Sequence, residues 1–76
     1  MGYKPISTDK WKKWLKYRGL VYKRTEASHE IWDYPDGNIL LRPVVFRGAK
    51  KEVPIHTNLV TLGIDYKTFQ KEIQNF

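Results

Sequence analysis

Trp11, Trp14, Leu15 and Arg18 fall at i, i+3, i+4 and i+7, the spacing of one helical face. Ser7, Thr8 and Asp9 precede them, and all three are good N-cap residues. Gly19 follows, suited to the left-handed position that ends a helix. The spacing predicts a short amphipathic helix over 8–18 with an aromatic underside. Residues 20–24 then read as a strand, Thr25-Glu26-Ala27 as a turn, and residues 28–34 as a second strand. Pro35-Asp36-Gly37-Asn38 is a strong turn signal, because proline presets φ and glycine tolerates φ > 0. Residues 39–46 read as a third strand, with Pro43 pointing to an edge or a bulge. Arg47-Gly48-Ala49-Lys50-Lys51 reads as a basic loop, and Val53-Pro54-Ile55-His56 as a short extended piece. Over residues 57–64, Leu59, Leu62 and Ile64 are buried candidates in a loop or a single helical turn. Asp65 then caps a last helix, in which Tyr66, Phe69, Ile73 and Phe76 share one apolar face.

The predicted fold class is α+β, in the order α-β-β-β-α. Hairpin-linked strands give a three-stranded antiparallel sheet, and two helices cover one of its faces. The 76 residues allow one domain, 1–76, with residues 1–7 expected to be a flexible lead-in. Strand parity splits residues 28–34 into two sets, His29, Ile31 and Asp33 against Ser28, Glu30, Trp32 and Tyr34. Turning Trp32 and Tyr34 towards the helices buries the larger area. That choice leaves His29 on the open face and at least partly accessible.

Composition narrows the function. Apolar residues make up 41% and aromatic ones 14%, too many large side chains for a disordered tail. No apolar run approaches the roughly 20 residues that span a bilayer, and no signal-peptide stretch is present. A cytoplasmic protein without a membrane partner is expected. Without cysteine, there is neither a disulfide framework nor a thiolate metal site. The net charge is +6, and all of the surplus lies early: residues 1–24 carry +7 and residues 25–76 carry −1. Such an asymmetry points to a polyanion, either nucleic acid or an acidic protein.

The available chemistry rests on few residues. There is no glycine-rich phosphate loop and no histidine pair at i, i+4. His29 and His56 are far apart in sequence, and no carboxylate cluster accompanies either, so no metal and no cofactor is expected. Asp33 and Asp36 are read as shaping a turn. A serine hydrolase is disfavoured, because Ser28 and His29 as strand neighbours would point to opposite faces. RNA cleavage fits better, since the substrate brings its own nucleophile, the 2′-OH. A histidine suits the proton transfers, and lysine and arginine suit the phosphate.

The segment Gly19 to Trp32, with Arg24 and Ala27-Ser28-His29, followed by Pro35-Asp36-Gly37 and then Val53-Pro54-Ile55-His56, resembles the HicA family of bacterial toxins. The resemblance covers roughly residues 8–76. It implies an α-β-β-β-α fold like a double-stranded-RNA-binding domain. It also implies a type II toxin-antitoxin component that cuts mRNA and is neutralised by a HicB-type antitoxin, with the catalytic histidine at His29 and Ser28 beside it. Three features depart from the family. Ala27 stands where the family has glycine, residues 38–52 form a longer link, and the last helix opens with Gly63-Ile64-Asp65-Tyr66.

The expected ribonuclease site is His29 as acid or base, with phosphates held by Lys12, Lys13, Lys23, Arg24, Ser28, Lys50 and Lys51. His56 is assigned a supporting or structural role, with a second acid-base group or a phosphate ligand as alternatives. Two other functions fit the same charge pattern: a non-catalytic RNA-binding module of the same fold, or a basic protein-interaction domain.

Overall fold

The computed structural model describes residues 4–36 and 42–76. Along the chain come β1 (Ile6–Ser7), α1 (Thr8–Tyr17), β2 (Val21–Glu26), β3 (His29–Asp33), β4 (Val44–Phe46), β5 (Glu52–Val53), α2 (His56–Leu62) and α3 (Tyr66–Ile73). The protein is a small α+β domain with a three-stranded antiparallel sheet in the order β2-β3-β4. The expected central order is present, with three additions.

The first addition is a ladder of two short antiparallel strands, β1 and β5, pairing Ile6 with Val53 and Ser7 with Glu52. Ile6 and Ser7 belong to the stretch expected to be free, yet they are tied to the chain some 45 residues on. The second is α2, where a loop or single turn was expected and where His56 was read as extended. Ile55, Leu59 and Leu62 lie at i, i+4 and i+7, a helical stripe masked by the polar and β-branched residues between them. Gly63, at φ 71°, takes the left-handed C-cap of this helix. The third is a shift of the first hairpin. β2 runs on to Glu26, which pairs with His29, so Ser28 lies in the turn and not on a strand. Of the third expected strand, residues 39–41 lie outside the described residues, as do Gly37 and Asn38 of the preceding turn; the described strand begins after Pro43.

α1 ends as its sequence predicts. Gly19 sits at φ 92°, its N–H bonds the carbonyl of Lys16, and the Leu20 N–H bonds that of Leu15. This reciprocal pair satisfies carbonyls that a helix end leaves open, and Leu15 and Leu20 are both buried beside it. α3 starts on Asp65, whose carboxylate accepts the Thr68 N–H at 2.8 Å.

Hydrogen bonds from the Thr68 hydroxyl and then its N–H, helped by the charges of Lys67 and Lys71, hold the Asp65 carboxyl below its usual pKa. A depressed folded-state pKa adds stability above the ordinary carboxylate pKa, and that stability is lost as pH falls through the depressed value. Asp65→Ala is therefore expected to lower the melting temperature at neutral pH. In melts taken at successively lower pH, the gap to the parent should narrow through the acid range.

The core sits between the sheet and the helices. It joins Trp11, Trp14 and Leu15 of α1, Trp32 of β3, Val44 and Phe46 of β4, Leu59 of α2 and Phe69 of α3. Tyr34 packs against its margin. The face choice made from side-chain size therefore holds: Trp32 turns to the helices, and His29, of opposite parity, is half-buried on the other side. Arg18 ties α1 to α3 through a two-pronged contact with Glu72, at 2.8 and 2.6 Å.

Ala27 is the non-glycine residue with positive φ, at 54°, among the described residues. It is the first of the two residues between Glu26 and His29, a hairpin position that favours glycine. An alanine there is strained by about 1–2 kcal/mol, against which glycine loses part through its freer unfolded chain. Ala27→Gly is expected to stabilise the domain by about 0.5–1 kcal/mol, a rise of a few degrees in a thermal melt. A lower melting temperature would contradict this account of the turn.

Candidate functional site

His29 opens β3, immediately after the strained turn. β4 runs antiparallel beside it, pairing Glu30 with Phe46 and Ile31 with Val45. Carried one step further, this register sets Arg47 opposite His29, on the face away from the core. β4 is the sheet's outer strand on this side, and α2 lies along its edge. There the Asn58 amide donates to the Val45 carbonyl at 3.1 Å and accepts the Val45 N–H at 3.4 Å. A buried side chain thus takes the place of a neighbouring strand, and this contact brings the start of α2, with His56, beside the sheet.

The loop from Arg47 to Lys51 is fixed from the other side. Thr8, at the start of α1, is buried; its N–H bonds the Lys51 carbonyl at 2.9 Å and its hydroxyl donates to the Lys50 carbonyl. Gly48 lies so close to the Glu30 carboxylate that a Cβ there would collide with it. Glu30 is held in turn by Lys12 at 3.0 Å and by the Trp32 indole N–H at 3.1 Å.

Between these parts lies a cleft of about 690 Å³. His29, His56, Arg42, Arg47 and Lys50 all line it. Two imidazoles and three permanent cations, drawn from β3, the segment before β4, the 47–51 loop and α2, thus converge on one concave surface. Such a surface attracts anions, and its histidines can exchange protons with whatever is bound. His56 stood apart from His29 in the sequence, and the fold puts both on one cleft.

The expected phosphate contacts divide. Lys50 lines the cleft. Lys51 instead borders a smaller groove beside Ser7, Thr8 and Asp9. Lys12 is engaged by Glu30, and Arg24 pairs with Glu26 on the exposed hairpin. Lys23 reaches the Pro35 carbonyl at 3.5 Å. Lys13 is exposed on α1 and Ser28 in the turn. α1 packs on the Trp32 face, so its lysines lie across the sheet from His29, and the expected phosphate contacts are divided between two surfaces.

Arg42 and Arg47 were not among the expected contacts. Arg47 was legible only as part of a basic loop; its place opposite His29 follows from the β3–β4 register, which the sequence does not state. Asp33, read as a turn residue, is buried at the end of β3. One of its oxygens accepts the Tyr34 N–H at 2.6 Å, while the other has no hydrogen-bond partner. Among the described residues, no group of three or more His, Asp or Glu side chains is placed to hold a metal ion. No helix among them is long and apolar enough to cross a membrane.

Fold and site together define a small α+β domain with a basic, two-histidine cleft at one edge of its sheet. No family model, curated protein or solved structure matches the chain.

Proposed function

We propose that this protein is an endoribonuclease that cleaves RNA at the His29–His56 cleft, using the substrate's own 2′-OH as nucleophile. The observation that carries the proposal is the convergence of His29 and His56 with Arg42, Arg47 and Lys50 on one cleft. One imidazole takes the proton of the 2′-OH as that oxygen attacks the adjacent phosphorus. The bond from phosphorus to the 5′-oxygen breaks, and the second imidazole gives that oxygen its proton. The products are a 2′,3′-cyclic phosphate and a free 5′-hydroxyl. The cations offset the charge that builds on the phosphoryl oxygens. Nothing in this scheme requires a metal, because nucleophile, acid and base are all supplied. His56 is promoted here from the supporting role expected of it to the second proton-transfer group.

The chain's resemblance to the HicA toxins extends the proposal. On that reading the fold is of the double-stranded-RNA-binding-domain type, the substrate is mRNA in the cytoplasm, and a HicB-type antitoxin is the protein partner. An antitoxin that silences this mechanism would cover the cleft.

The test is cleavage of a defined RNA by the purified protein in excess EDTA, beside the same RNA carrying a 2′-deoxy at the cut position. Cleavage of the first alone, leaving a cyclic phosphate, is expected. Binding without cleavage would make the protein an RNA-binding module instead.

A further inference from the structure

Charge is only half of what the cleft offers. Its described lining also includes Pro43, Val45 and Pro54, an apolar wall beside the cationic groups. Val45 is exposed to 38% although it lies in a strand, and both of its backbone groups are held by the buried Asn58. Val45 is therefore held in place by its backbone while its side chain stays open to solvent. Glu52, the one carboxylate among the described lining residues, disfavours a phosphate beside it and can accept a hydrogen bond from a base amino group.

We infer that the cleft receives an unpaired ribonucleotide, with its base against the Pro43–Val45–Pro54 wall and its phosphate towards His29, Arg47 and Lys50. The substrate class is then single-stranded RNA. The inference deepens the ribonuclease reading and rests on it for the chemistry, though not for the binding. A phosphate alone would need the cations and no apolar wall. In an A-form duplex each base is stacked on both faces and paired at its edge, and proteins meet it by shape across the shallow minor groove. A concave pocket with one apolar side takes a base only when that base is splayed out of the stack. The three-stranded sheet with helices behind it suggests duplex binding by shape; the cleft at its edge suits the opposite.

The deciding experiment compares one RNA oligonucleotide alone and annealed to a 2′-O-methyl complement. Binding is followed by fluorescence anisotropy at two salt concentrations, and cleavage on gels in EDTA. The free strand is expected to bind on the order of tenfold or more tightly and to be cut correspondingly faster. Thr61→Trp, which fills the cleft from α2, should remove that preference while leaving the far-ultraviolet spectrum and melting temperature close to the parent's. Equal binding and cutting of both forms would overturn the inference while the ribonuclease reading stood. Single-strand preference without any cleavage would support the inference and sink that reading. Failure to bind either form would sink both. The parent's comparison decides the matter even if Thr61→Trp does not fold.

Discussion

His29→Ala is expected to slow RNA cleavage about a thousandfold, within the range that a positioned general acid or base contributes. The fold should survive the change. His29 is half-buried at the first position of β3, outside the core that Trp32 and Phe46 build from the other face. RNA binding should fall only slightly, because Arg42, Arg47 and Lys50 remain. His56→Ala should lower the rate by about a hundredfold or more, and the double variant should lose far less than the product of the two, since both act in one step. Single-turnover rates for the three variants check all of this. A His29→Ala protein that cuts at the parent rate would remove His29 from the mechanism.

The largest effect on stability is expected from Trp14→Ala, about 3–5 kcal/mol. Trp14 has no exposed surface. Its ring stacks on Trp11 at 5.2 Å and meets Phe69 edge-on at 4.8 Å. Such pairs contribute about 0.5–1.5 kcal/mol beyond the area they bury. The Trp14 indole N–H donates to Glu72 at 2.9 Å, and that carboxylate also grips Arg18. Removing the ring thus opens a cavity and loosens the α1–α3 clamp together. For a domain of this size, total stability is only about 4–11 kcal/mol, so the variant should be partly unfolded at 37 °C. Glu72→Ala keeps the ring and strands a buried donor, at a loss of about 1–3 kcal/mol. Urea unfolding of both variants should give that order, and the reverse order would show that the clamp outweighs the packing.

Some of this was legible in the chain. The aromatic stripe of α1, its end at Gly19, the Asp65 cap and the apolar face of α3 all follow from neighbours within about one or two helical turns. Such local signals survive without knowledge of the fold. α2 was hidden because Asn58 lies inward for a reason outside its own segment: its amide satisfies the edge of β4. The β1–β5 ladder was hidden because two residues on each side carry no pattern of their own. The hairpin turn falls at Ala27-Ser28 instead of Thr25-Glu26-Ala27 because no glycine marks it, and the left-handed position is occupied by Ala27.

The site divides in the same way. His29 was marked by residue type and parity, since the bulk of Trp32 and Tyr34 decides which face of β3 turns inward. Its company was not marked. Arg47 joins it through an antiparallel register, His56 through the Asn58 contact, and Lys50 through a loop held by Thr8. By itself, then, the sequence determined the aromatic underside and the ends of α1, the start of α3 at Asp65 and the accessible face of His29, because periodicity and capping act over short distances. Only the tertiary structure decided which cations share the cleft with the histidines and which, like Lys12 and Arg24, are engaged by carboxylates. Pairing partners many residues apart are selected by the packing of the whole chain, and no local stretch encodes them.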